Sequence, residues 1–179
     1  VVSAPAKHGG HYSHNTAGPL RFYSNDILSV PFNPETYNID LEGLAQMFDA
    51  ERPQLLVVGW SEFPFAHPLY ELRSLCDAFN VKLMYDMSHV AGLIAGGEFQ
   101  PEAGQLADVV TSSTGKSLHA PDHGMLLYNE STLDDGIHDA LMPLLTSNTH
   151  PHELAALGVV FAEMKEFGPA YAKQVIANS

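Results

Sequence analysis

Residues 82–89 read KLMYDMSH and residues 107–116 read ADVVTSSTGK. Each is an apolar run of strand length that stops abruptly at carboxylate, hydroxyl, imidazole or amine side chains. A strand that is apolar on successive residues needs cover on both faces, which is the habit of parallel sheets. Upstream, Gln54 to Trp60 (QLLVVGW) has the same character, and Ile27 to Val30 is a shorter candidate. Downstream, Gly124 to Tyr128 (GMLLY) reads as a fourth buried strand. Helical patterns fall between these runs. Asp40 is placed to cap a helix with Leu41, Leu44 and Phe48 on one face, ended by Arg52-Pro53. Pro68 opens another in which Leu69, Leu72, Cys76 and Phe79 share a face. From His152 a long helix is expected to turn Leu154, Leu157, Phe161 and Met164 inward, pass Gly168-Pro169 and continue through Tyr171 and Val175. Strand–helix alternation with buried strands predicts an α/β fold with a mostly parallel sheet.

Composition narrows the function. The chain has 179 residues, 45% of them apolar, so it can bury a real core. Eight Lys and Arg against 21 Asp and Glu give a net charge of −13, which excludes nucleic acid and anionic membrane as main partners. No run approaches the roughly 18 apolar residues of a membrane span. The single cysteine, Cys76, excludes an internal disulfide framework, reads as core packing and fits a reducing, cytoplasmic setting. The chain opens on Val1 without an initiator Met and closes in a helical pattern, so it reads as an excerpt of a longer protein.

In open parallel sheets, ligands sit at the carboxyl ends of the strands. Those ends supply Ser61, Asp86, His89 and Lys116. Taken singly, each has a plainer reading: a turn-forming aspartate, a structural histidine, a surface lysine, a hydroxyl of no consequence. Taken together, a lysine and a carboxylate thirty residues apart on consecutive strands match the pattern of a pyridoxal phosphate (PLP) site. There a lysine bonds the cofactor and an acid pairs with the pyridinium nitrogen. A lysine held in a cleft would be desolvated, which favours its neutral, nucleophilic form.

Asp86 to Gly97 (DMSHVAGLIAGG) and Asp108 to Leu118 (DVVTSSTGKSL) resemble the core of serine hydroxymethyltransferase and its relatives among the fold-type I PLP enzymes. The opening HGGHYSH (His8 to His14), YNIDLEGL (Tyr37 to Leu44) and the closing KQVIANS (Lys173 to Ser179) are similar too. The resemblance implies a three-layer PLP-binding large domain. Residues 1–151 would form its central part and residues 152–179 a long helix leading toward a C-terminal small domain. It implies that Lys116 bonds the cofactor, that Asp86 pairs with the ring nitrogen, that His11 stacks on the ring, and that Ser61 and His89 lie near its phenolic oxygen. It also implies amino-acid and aldehyde substrates and a homodimer or dimer of dimers. The family's substrate-carboxylate arginine has no match among Arg21, Arg52 and Arg73.

The departures from the family pattern are specific. Gly115 stands where the family has a histidine, and Asp122, flanked by His119 and His123, where it has an arginine. The segment Met142 to Thr149, aligned with a glycine-rich loop, has no glycine, and Glu62 to Phe65 replaces a run of small and aromatic residues. These changes disfavour tetrahydrofolate as co-substrate. They point to cleavage and formation of the Cα–Cβ bond of β-hydroxy-α-amino acids by an L-threonine aldolase or transaldolase branch. Folate-dependent serine hydroxymethyl transfer is the alternative, and a catalytically degenerate partner-binding subunit is a third reading. No metal site is expected. His8, His11 and His14 have a suggestive spacing, but one is already assigned to stacking, and His150 and His152 read as a helix cap or subunit contact. Trp60 is open between core and cleft wall.

Overall fold

The computed structural model describes residues 1–179. The strands are β1 (Val2–Ser3), β2 (Leu28–Ser29), β3 (Phe32–Asn33), β4 (Asn38–Ile39), β5 (Leu55–Val58), β6 (Lys82–Asp86), β7 (Val109–Ser113) and β8 (Gly124–Tyr128). The helices are α1 (Leu41–Glu51), α2 (Leu69–Phe79), α3 (Ala91–Ala95), α4 (Ala103–Leu106), α5 (Asp134–Asp139) and α6 (Pro151–Asn178). Six strands form one sheet in the order β2-β1-β5-β6-β7-β8, and β3 and β4 form a separate antiparallel pair. Every pairing in the large sheet is parallel except β7 with β8. The expected α/β fold with a mostly parallel sheet is the one observed.

Burial explains the register. In β6, Leu83 and Tyr85 are fully buried while Lys82 and Asp86 at the two ends are not. The core joins these residues to Leu56 and Val58 of β5, Leu44 and Phe48 of α1, and Leu69, Leu72 and Cys76 of α2. Burial pushes the Cys76 thiol up to about 12, which suits a packing role. The Asp40 side chain accepts the Gly43 N–H at 3.1 Å and caps α1 as expected. Arg52, in the left-handed conformation, closes the same helix.

Two expectations need correction. The strand GMLLY is not a fourth buried strand: β8 is an antiparallel edge, and Leu127 on it is 47% exposed. The return from β7 is short, and Thr114 N–H donates to the His123 carbonyl at 3.0 Å, so the chain turns straight back beside itself. On α6, Leu157 and Met164 pack on the core as expected, joined by Val160, but Leu154 and Phe161 are exposed. The helix meets the body mainly through α3, where Gly96 lies against Gly168 and Ala172, and this close approach fixes its rotation. Strand β1, two residues inserted between β2 and β5, carries too little pattern to be read from sequence.

Candidate active site

The carboxyl ends of β5, β6 and β7 converge on one cleft of about 690 Å³. His11, Ser61, Asp86, His89 and Lys116 all line it, so the structure brings together the five residues to which the resemblance gives a place at the cofactor.

Local backbone features explain the convergence. β5 ends at Gly59, whose φ is +85°. A Cβ there would lie 2.0 Å from the Asp86 carbonyl oxygen, so only glycine lets the ends of β5 and β6 approach this closely. The step delivers Trp60 and Ser61 beside Asp86. The glycine–histidine turn is tied to the same place, because the N–H groups of Ser61 and Glu62 both donate to the Gly9 carbonyl, at 2.9 and 3.1 Å. The Ser3 hydroxyl donates to the His14 carbonyl, anchoring the turn to β1.

Asp86 is held by a relay of donors. Its Oδ1 accepts the Ser88 N–H at 2.9 Å and the Ser88 hydroxyl at 2.6 Å. The Ser88 oxygen in turn accepts the Ser113 N–H from β7 at 2.7 Å. With Oδ1 committed, Oδ2 faces His14, whose Nε2 is 3.4 Å away. Burial depresses the His14 pKa, and the opposing pull of Asp86 does not overcome it. His89 is exposed on the rim, and its pKa is lowered by desolvation and by the Lys116 charge. His11 stands exposed with its Nδ1 accepting the Ser13 N–H at 3.2 Å, which leaves its ring free in the cleft. Lys116 is exposed and takes part in no ion pair. The desolvation expected for it is therefore not supplied by the residues around it.

Three buried polar atoms on the cleft wall lack any partner: Ser61 Oγ, Thr111 Oγ1 and Trp60 Nε1. An unpaired buried donor or acceptor costs about 1–3 kcal/mol, so a cluster of three marks a place where a polar ligand belongs. Trp60 is thus both core, at 3% exposure, and cleft wall. A lysine amine, a held carboxylate, a free imidazole face and two orphaned hydroxyls fit the aromatic, hydroxylated ring of PLP.

Several residues were not singled out from sequence. Ser88 sits two residues after Asp86, where an Asx-type turn is common, and Thr111 shares the two-residue period of Ser113 on β7. Those signals were present. The approach of His14 to Asp86 has none, since it depends on how the opening turn folds over the sheet. Of the three histidines spaced by three, His11 and His14 have ring centres 6.0 Å apart, while His8 stacks on Phe32 at 4.4 Å. The departures also acquire a geometry. A Cβ on Gly115 would lie 1.7 Å from Asp122 Oδ1, so Asp122 occupies the space a side chain at 115 would need.

The family model described as serine hydroxymethyltransferase matches residues 1–179. Proteins named serine hydroxymethyltransferase are similar along the chain. The one from Methanobrevibacter smithii is 40% identical over 179 residues, covering 100% of this chain and 42% of the relative. The one from Pyrococcus abyssi is 38% identical over 182 residues, 100% of this chain and 43% of the relative. The one from Picrophilus torridus is 40% identical over 178 residues, 98% of this chain and 41% of the relative. The chain thus spans less than half the length of these relatives. No helix is long and apolar enough to cross a membrane.

Proposed function

The chain belongs to the serine hydroxymethyltransferase family, and on that premise we propose that it carries the PLP-binding cleft of an enzyme that moves the hydroxymethyl carbon of serine to tetrahydrofolate and leaves glycine. Among the readings open from sequence, the names of its relatives favour folate-dependent transfer over the aldolase branch. The observation that carries the proposal is the meeting of Lys116, Asp86, His11, Ser61 and His89 in one cleft beside the orphaned Ser61 and Thr111 hydroxyls. A degenerate subunit has no need to hold all of these together.

When bound, PLP supplies an electron-withdrawing ring that stabilises negative charge at the substrate α-carbon. The roles of the protein follow from its own geometry. Lys116 is the amine that would bond the cofactor and exchange with the substrate amino group. Asp86, fixed through Ser88, presents a carboxylate oxygen to a protonated ring nitrogen, and the anion favours keeping that proton in place. His11 offers a flat face. Ser61 and Thr111 offer hydroxyls to oxygen atoms on the ring. His14 and His89 both have lowered pKa values, so near neutral pH their imidazoles are uncharged and able to accept a proton.

One observation favours a second reading. Asp122 fills the space beside Gly115, where the family pattern has a histidine and an arginine, and this alters the field next to Lys116. Aldol cleavage of threonine without folate fits that altered wall. The test is glycine release by the purified holoenzyme. Strict dependence on tetrahydrofolate with serine supports hydroxymethyl transfer, whereas faster folate-free cleavage of threonine supports the second reading. Lys116→Ala is expected to abolish the yellow absorbance of bound PLP; a wild-type protein that stays colourless with added PLP refutes both.

A further inference from the structure

At the mouth of the cleft stands a cluster that the proposed reaction does not use: His123 from the loop before β8, with His150 and Glu153 from the start of α6. The three ligand-capable atoms all lie within 4.8 Å of one another. A single oxygen, Glu153 Oε2, is 3.1 Å from His123 Nε2 and 2.9 Å from His150 Nδ1. We propose that His123, His150 and Glu153 form a binding site for a divalent transition-metal ion of the zinc class.

The donor set is the first argument. Two imidazoles and one carboxylate are the protein ligands of open, three-coordinate zinc sites, with a fourth position left for water or another oxygen donor. Borderline donors of this kind select zinc and its neighbours over calcium or magnesium, which prefer all-oxygen shells. The spacing is the second. At bond lengths of about 2.0–2.2 Å, tetrahedral ligand atoms stand roughly 3.3 Å apart. The two histidine–carboxylate separations, 3.1 and 2.9 Å, lie slightly inside that value and the three ligand atoms lie within 4.8 Å of one another, so small side-chain rotations bring all three to it, and both imidazoles are exposed enough to turn.

Local structure holds the ligands in place without a metal. The His123 N–H donates to Thr114 Oγ1 at 2.9 Å and its carbonyl accepts the Thr114 N–H at 3.0 Å, which pins its backbone. His150 and Glu153 are three residues apart across the first turn of α6, so one helical turn sets their distance. Metal binding at His123 Nε2 moves that ring's proton to Nδ1 and displaces a 3.2 Å contact from the Gly124 N–H, which is free to turn to solvent because Gly124 is exposed. His152, whose ring centre is 5.9 Å from that of His150, lies outside the ligand set and serves as an internal control. Because His123 and His150 share the cleft with Lys116, an ion here would stand at the entrance to the candidate active site.

The test is titration of the purified holoenzyme with Zn²⁺ by calorimetry, with X-ray absorption at the zinc edge. The expected result is one ion per chain, bound through two imidazoles and light oxygen donors, with proton release on binding. His123→Ala, His150→Ala and Glu153→Gln are each expected to weaken binding at least about tenfold, the low end of what loss of even an outer-shell partner costs a metal site. His152→Ala is expected to bind as the wild type does, and retention of the PLP absorbance shows that each variant is folded. The proposal is overturned if the wild type binds no Zn²⁺. It is equally overturned if the absorption spectrum shows fewer than two imidazoles, if the three variants bind normally, or if His152→Ala weakens binding as much as His150→Ala.

Discussion

His67 gives the sharpest stability prediction. It is 3% exposed, packed flat on Phe63 at 4.6 Å and edge-on to Trp60 at 4.7 Å. Its Nδ1 is 3.1 Å from the Asn38 side-chain oxygen, and its Nε2 is buried with no partner. A proton added at Nε2 would place a charge where nothing can solvate it, and desolvation pushes the pKa from 6.5 down to about 3. The folded pKa is depressed, so between pH 6.5 and 3 the unfolded chain binds more protons than the folded one, and stability falls as the pH falls through that window. At about 1.4 kcal/mol per unit, the full window is worth roughly 5 kcal/mol. Carboxylates titrate in the lower half of it, so the measurement must be differential. His67→Asn keeps an N–H donor for Asn38 and removes the titrating ring. It is expected to cost about 2 kcal/mol at pH 7.5 through lost packing, yet to overtake the wild type in relative terms as the pH drops. Urea unfolding, followed through Trp60 fluorescence at half-unit steps from pH 7.5 to 4.5, should show the two stability curves converging by about 1 kcal/mol or more per unit below pH 6. Parallel curves would refute the assignment of a neutral, unsolvated imidazole at this position.

Other substitutions test the frame around the cleft. Asp108 is desolvated, but the Arg73 guanidinium at 2.8 Å and the Leu83 N–H at 2.7 Å outweigh that and hold its pKa below the usual carboxylate range. Asp108→Asn should therefore cost about 1.5–3 kcal/mol at neutral pH. Because this stabilisation is present above the unfolded pKa and lost as pH falls through the lower folded one, the variant should also show a shallower acid limb in thermal melts. Gly59→Ala forces a φ of +85° on a residue with a Cβ and pushes against the Asp86 carbonyl; a loss exceeding about 1–3 kcal/mol, with weakened PLP absorbance, is expected in urea titrations. Gly115→His alone should disturb the Lys116 loop and reduce turnover, while pairing it with Asp122→Gly should recover much of the loss, as read in a double-mutant cycle of kcat/KM.

Each part of the fold is legible in the sequence to the extent that its local signal is long. β5, β6 and β7 were legible because each is an unbroken apolar run ended by polar residues, and those ends located Ser61, Asp86 and Lys116. The direction of β8 was not legible, since GMLLY looks the same in either orientation and only the Thr114–His123 turn makes it antiparallel. The inward face of α6 is only half legible, at Leu157 and Met164 but not at Leu154 and Phe161, because apolar residues occur all around it; contact between Gly96 and Gly168, two residues with no side chain to count, decides its rotation. The cluster of His123, His150 and Glu153 joins two segments distant in sequence, so no local motif announces it.

The charge of the chain bears on which part of the cofactor this cleft can recognise. Lys116 and Asp86 are the one formal cation and the one carboxylate on its lining, so they cancel, in a chain whose net charge is −13. An anionic phosphate finds no arginine among the lining residues and no second lysine. What the lining offers is matched to a pyridine ring: an acid for a ring nitrogen, an imidazole face, two unpaired hydroxyls and an amine. In the proposed reading, then, binding here is governed by the ring, and its strength rests on groups whose positions depend on backbone approach at Gly59 and on the Ser88 relay rather than on net charge. Ring recognition in this cleft therefore carries a single ion pair, Asp86 with the ring nitrogen, and depends only weakly on salt. A binding step whose affinity for PLP falls steeply with ionic strength must draw that dependence from phosphate contacts made by residues other than these.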